Sequence, residues 1–241
     1  SGVGTVTQSG SGTTVLTGAN TYTGATTISA GTLQLGNGGT TGAISASSAV
    51  TNNGTLAFNR SNSFTFSNVI SGSGGVSQIG SGTTVLTGAN TYSGATTISA
   101  GTLQLGNGGT TGAISASSAV TNNGTLAFNR SNSVTFSNVI SGSGGVSQIG
   151  TGTTTLSGVN SYGGGTAISA GTLSVANDGN LGNTAGGITF NGGTLSTSTS
   201  FASNRAVTLN AGGTVNTNGN TLTLGGAITG SGRLTKAGGG T

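Results

Sequence analysis

Residues 8–77 recur almost unchanged as residues 78–147, and the two copies differ only at Ser9/Ile79, Thr23/Ser93 and Phe64/Val134. A third copy opens at Gln148, where GTTTLSGVNSYGGGTAISAGTL follows the wording of GTTVLTGANTYTGATTISAGTL. A period this long and this faithful describes an array in which each unit packs on its neighbours. It constrains the fold more than any motif, because a globule with one irregular core cannot be assembled from interchangeable segments. It divides the chain, read as one continuous coil over 1–241, into units 8–77, 78–147 and 148–235. Ser1 and Thr241 both fall near copies of one short phrase (SGVGTVTQSG, SGSGGVSQIG, TGSGRLTKAG), so the sequence is expected to be a piece of a longer array.

The residues inside the repeat are those of strands and turns. Short runs of Thr, Val, Ile, Leu and Phe are separated by Gly, Asn and Ser clusters, and no apolar stripe at helical spacing occurs. The expected strands of the first unit are 13–16, 26–28, 32–35, 43–45, 49–51, 55–58, 64–70 and 76–79. Several alternate: Leu33 and Leu35 lie on one face with Thr32 and Gln34 on the other, and Leu56 and Phe58 flank Ala57. Three short strands with their turns use roughly 22–24 residues, so the expected fold is all-β: a right-handed parallel β-helix of about ten turns, roughly three per repeat unit. The inward ladder should comprise Leu16, Ile28, Leu33, Leu35, Ile44, Leu56, Phe58, Phe64, Phe66 and Ile70 with their copies. Stacked asparagines are expected to share side-chain amide bonds between turns. A coil interior is thin, which is why 31% hydrophobic residues can suffice.

At GxTTxLTGANTYxGATTISAGTLQLG, over 12–36 and 82–106, the chain resembles the autotransporter-associated β-strand repeat, or passenger-associated transport repeat, of Gram-negative surface proteins. The matching residues are Leu16, Gly18, Asn20, Tyr22, Gly24, Thr26, Ile28, Gly31, Thr32 and Leu33. The third copy keeps Leu156, Gly158, Asn160, Tyr162, Gly164, Ile168, Gly171 and Leu173. The resemblance implies an exported passenger segment that folds as a right-handed β-helix at the cell surface and serves adhesion, aggregation or biofilm formation. It also implies a membrane-anchoring β-barrel elsewhere in the full protein. No apolar run of membrane-spanning length is present, so this segment is not expected to insert in a membrane.

Chemistry is limited by what is missing. Asp178 is the one acidic side chain, and there is no His or Cys. General acid–base pairs, metal ligand sets and activated nucleophiles therefore have no members to draw on, and neither catalytic residues, metal nor cofactor is expected. Polysaccharide-cleaving β-helices are thus a remote alternative, and repeated calcium sites are excluded. Asp178 in NDG reads as a turn residue. The net charge of +4 is too dispersed for nucleic acid. Thr-x-Thr pairs have no constant turn period, which argues against ice binding. The Asn-x-Ser/Thr matches at Asn53, Asn59, Asn123 and Asn129 read as chance.

Two surface features remain. Arg60 and Arg130 occupy the same place in FNRSNS, and Arg205 in SNRAV continues the series. Three whole turns would put the first two about 14 Å apart along one side, a sparse positive ladder for anionic sugars or another rod, or simply a guard against lateral aggregation. Tyr22, Tyr92 and Tyr162 recur in GANTY or GVNSY, either as an exposed row for sugar stacking or packed against the corner. The expected function is a structural stalk of a surface adhesin, with the chain itself or cell-surface glycans as partners. The alternative is an extracellular fibre joined through open coil ends.

Overall fold

The structure, a computed structural model, describes residues 2–241. It is all-β apart from one short 3-10 turn at Asp178–Leu181. It divides into two compact units, one reaching to Asn107 and including Thr111–Thr125, the other comprising Gly108–Thr110 and Leu126–Thr241.

In the first unit every strand pairing is parallel and the strands fall into three stacks. Stack one holds Val6–Gln8, Thr26–Ile28, Val50–Asn52 and Ile70–Ser71. Stack two holds Thr13–Leu16, Thr32–Leu35, Thr55–Phe58, Gly75–Gln78, Thr96–Ile98 and Val120–Asn122. Stack three holds Phe64–Phe66, Thr83–Leu86 and Thr102–Leu105. The chain visits the stacks in rotation, so the unit is a parallel β-solenoid. The second unit is built the same way. One of its stacks runs Gly145–Gln148, Thr166–Ile168, Ile188–Phe190, Val207–Leu209 and Ile228–Gly230. Another runs Val134–Phe136, Thr153–Leu156, Thr172–Val175, Thr194–Thr197, Gly213–Asn216 and Leu234–Ala237.

Summed over the two units there are about twelve turns, against the ten expected. The extra turns come from tighter corners. Val6 pairs with Thr26, Thr26 with Val50 and Val50 with Ile70, so a long turn falls among shorter ones. The short kind brings Asn90 onto Ile70, 20 residues apart, and the long kind brings Ser48 onto Gly24, 24 residues apart. Gly31 at φ +61° makes one tight corner, where a Cβ would lie 2.3 Å from the Gly12 carbonyl oxygen.

The shorter turn changes what the repeat means. From Thr26, three turns lead through Val50 and Ile70 to Asn90 and Thr91, whose N–H donates to the Ile70 carbonyl. Thr96, the copy of Thr26, comes only after the next corner, and it lies in stack two rather than stack one. Likewise Thr32–Leu35 lies in stack two and its copy Thr102–Leu105 in stack three. Within this unit a copy is therefore three turns plus one face. Local registers are unaffected: Val6 pairs with Thr26, Val76 with Thr96 and Val146 with Thr166. Copies keep their neighbours and change their stack.

The expected inward ladder holds at Ile28, Leu33, Leu35, Ile44, Leu56, Phe58, Phe66 and Ile70, all buried. Leu16 is only half-buried whereas its copy Leu86 is fully covered, because Thr13–Leu16 has one strand neighbour and Thr83–Leu86 has two. Phe64 is also half-buried, with the Arg60 guanidinium 4.3 Å from its ring centre. The exchange to Val134 is thus made at a rim position, not deep in the core, while Phe58 and Phe66 pack edge to face at 5.0 Å. Residues 43–45 form no strand and contribute only a bridge from Ala43 to Ala19. The run 64–70 breaks into Phe64–Phe66 and Ile70–Ser71, because Asn68 turns inward at a corner and donates to the Ser45 and Ser48 carbonyls.

Candidate functional site

The arginines face inward to the backbone more than outward to a ligand. Arg60 follows the strand Thr55–Phe58 and reaches back one turn. Its Nη1 donates to the Gly42 carbonyl at 2.9 Å, Nη2 to the Thr40 carbonyl, and Nε to Asn62 Oδ1 at 3.1 Å. Arg130 repeats the grip on the Thr110 carbonyl and Asn132 Oδ1. Partial burial lowers both guanidinium pKa values from the ordinary arginine range. Each clamps the outward loop of a long turn, where carbonyls lack strand partners. The expectation that Arg60 and Arg130 line one side assumed three whole turns per copy, which the strand registers of the first unit replace with three turns and a face.

Arg205 is not a surface residue. It is 1% exposed, and the reason is Asp178. Nε donates to Asp178 Oδ1 at 2.8 Å and Nη2 to Oδ2 at 3.3 Å, while further bonds go to the carbonyls of Asp178, Asn183, Gly186 and Gly182. The fork geometry of guanidinium suits this bidentate pair. Arg205 thus grips the 178–186 loop as Arg60 grips Thr40 and Gly42. The one acidic side chain of the chain is used here, as the partner of an arginine.

Tyr92 and Tyr162 likewise are not a surface row, since both are 0% exposed. Tyr92 OH bonds Thr96 Oγ1 at 2.7 Å, which bonds Ser118 Oγ at 2.7 Å on the next turn. Tyr162 OH bonds Thr166 Oγ1 at 2.7 Å. Burial pushes the Tyr92 phenol well above its ordinary range. It raises Tyr162 to about 12, opposed by the Thr166 bond and the Arg205 charge. Tyr22 sits in the same corner with its OH on Thr26 Oγ1 at 2.7 Å, but is half-buried. The packed-corner reading holds for Tyr92 and Tyr162.

A corner at Gln-x-Gly is legible in the sequence, but the bonds its glutamine makes were not expected. Gln78 Nε2 donates to the Gly80 and Gly82 carbonyls, and Gln8 and Gln148 repeat this. The signal was present as Gln-x-Gly-x-Gly in all three copies. The asparagines mostly bond main chain rather than each other: Asn90 Oδ1 accepts from Ile70 N and Asn90 Nδ2 donates to the Ala113 carbonyl. Asn160 accepts from Ile140 N in the same way. One Asn-to-Asn bond between turns runs from Asn210 Nδ2 to Asn191 Oδ1 at 3.0 Å.

No group of three or more metal-binding side chains exists among the described residues, and no helix is long and apolar enough to cross a membrane. The family comparison matches three stretches of the chain. A model of the passenger-associated-transport-repeat matches residues 6–35, 76–105 and 146–175. The chain carries three passenger-associated transport repeats. No curated protein and no solved structure matches the chain. Each passenger-associated transport repeat encloses two strand pairs of its own. In the second repeat Gly75–Gln78 pairs with Thr96–Ile98, and Thr83–Leu86 with Thr102–Leu105. The repeat is therefore one closed turn that sets its own register, holding the glutamine corner and the buried Tyr–Thr bond inside it.

Proposed function

We propose that this chain is a stalk segment of an exported, surface-held passenger, and that it contributes to adhesion, cell aggregation or biofilm formation by spanning distance rather than by catalysis. One observation carries the reading: three passenger-associated transport repeats, each pairing its own strands, are joined into parallel solenoid turns. A self-registering turn can be multiplied without redesign, which is what a spacer requires. Carboxylate, imidazole and thiol side chains come down to one aspartate, and it is held by Arg205. Contacts with glycans or with other copies would then be many and weak, summing through multivalency.

The test is surface display of the passenger with one copy of the long repeat added or removed. Each copy should move an N-terminal tag by about 16 Å from the cell, the rise of three turns and a face at ~4.8 Å per turn. Cells should clump in proportion to display. Unchanged reach, or clumping equal to that of cells bearing the anchor alone, would overturn the stalk reading. Filaments formed by the purified chain would favour the fibre alternative.

A further inference from the structure

In the second unit the strand registers align threonines that the sequence keeps at unequal intervals. Thr153 pairs with Thr172, Thr172 with Thr194, Thr194 with Thr214 and Thr214 with Thr235. A second column runs beside the first, two residues further along each strand: Thr135, Thr155, Ser174, Ser196 and Asn216. The residues between the columns, such as Leu173, Leu195 and Val215, are buried, so both columns lie on the outer face of the sheet. All of this face belongs to the second unit. The missing turn period of Thr-x-Thr, which counts against ice binding in the sequence, reflects turns of unequal length. Strand pairing restores the period in space.

Neither column holds a charged side chain or one larger than asparagine. The hydroxyls of Thr153, Thr155, Thr172, Ser174, Thr194 and Thr214 bond no other described residue, so their donors and acceptors are left to water. Branching at Cβ stiffens the threonine side chains and fixes where those bonds point. Water on these hydroxyls would repeat at ~4.8 Å from turn to turn and about 6.7 Å along each strand. These spacings are close to the oxygen repeats on a prism face of ice. A charged side chain would hold a hydration shell of its own and spoil the lattice. The first unit supplies a contrast: Thr13, Thr32 and Thr55 begin a column that Gly75 ends, with Val15, Gln34 and Ala57 beside it. We propose that the threonine face of the second unit binds ice, its hydroxyl columns taking the place of rows of surface water. Each bond is weak and the face sums them. The activity goes beyond the stalk reading and does not rest on it.

The test is slow growth of ice on a cold finger in a dilute solution of the chain, with the protein then measured in the ice and in the remaining liquid. The intact chain should be enriched in the ice, where an unrelated globular protein is excluded. Thr194→Tyr, which sets a ring in the middle of the face, should lose that uptake. Thr208→Tyr, on the stack that holds Val207–Leu209, should keep it. Thr235→Lys places a charge at an exposed position of the first column and should weaken uptake. If circular dichroism shows Thr194→Tyr unfolded, Thr235→Lys decides alone. Exclusion of the intact chain would overturn the proposal, as would uptake unchanged in the folded variants of this face or lost equally in Thr208→Tyr. Exclusion from ice joined to sedimentation with crystalline cellulose would overturn it in favour of a polysaccharide.

Discussion

Arg205 gathers the Asp178 carboxylate and the carbonyls of Asp178, Gly182, Asn183 and Gly186 around one guanidinium, and its removal should be felt. Replacing it with Met would strand a largely buried Asp178 carboxylate and several loop carbonyls. Arg205→Met is therefore expected to cost about 3–5 kcal/mol in denaturant unfolding, and Arg205→Met with Asp178→Asn should recover part of that. Equal losses in the single and double variants would show that the ion pair is not the cause. Tyr162 gives a pH signature. Its folded pKa, about 12, lies above the ordinary value of 10.0. Between those values the unfolded state loses its proton while the folded state keeps it. Its contribution should be unaffected below pH 10 and fall by up to about 1.4 kcal/mol per pH unit between those values, added to a like fall from Tyr92. Tyr162→Phe should remove its share of that slope. The sequence could place Tyr162 at a corner, since its phrase repeats. It could not show Arg205 buried, because SNRAV reads like the half-exposed FNRSNS and its partner lies 27 residues away.

At the scale of the element, the glycine after each glutamine corner gives a controlled comparison. A Cβ on Gly82 would lie 2.2 Å from the Asn62 carbonyl oxygen, on backbone that cannot step aside, whereas one on Gly12 meets nothing within 4 Å. The two positions are equivalent in the repeat and differ in whether a preceding turn lies against them. Gly82→Ala should destabilise by upwards of about 2 kcal/mol and Gly12→Ala by a few tenths at most, measured by denaturant midpoint. Similar effects at both sites would mean that backbone propensity rather than close approach fixes this glycine. Strands such as Thr32–Leu35 were legible because alternation of Leu33 and Leu35 with Thr32 and Gln34 names both faces. The run at 43–45 alternates too, yet it makes only a bridge. The long turn is spent there on a loop, and its shape is set by Arg60 and Asn68 from the next turn. No local pattern carries that information.

For the whole molecule, the stack assignment was the feature least visible beforehand. A coil of roughly 22–24 residues per turn would fit each copy into three whole turns. The turns that form are on average slightly shorter, and the few residues saved carry each copy onto the next face. Since copies keep their neighbours whichever stack they occupy, the fold should tolerate loss of a copy. Deleting 8–77 joins Thr7 to Gln78 within the same strand phrase. The shortened chain is expected to keep its β-type circular dichroism per residue and to melt within about 5 °C of the original. Loss of cooperative melting would show that particular stacks, not neighbour registers, hold the solenoid together.

The arginine clamps have one more consequence, for the way this molecule meets others. Of five cations, Arg60, Arg130 and Arg205 are held against loop carbonyls or the sole carboxylate, and Lys236 lies over the Gly238 and Gly239 carbonyls. One ion pair cancels one of these charges, and the four that remain stand singly, so no patch gathers a field to draw a partner in from a distance. Encounters with uncharged partners should therefore proceed at the unsteered pace of about 10⁵–10⁶ M⁻¹ s⁻¹, much the same in fresh water as in brine.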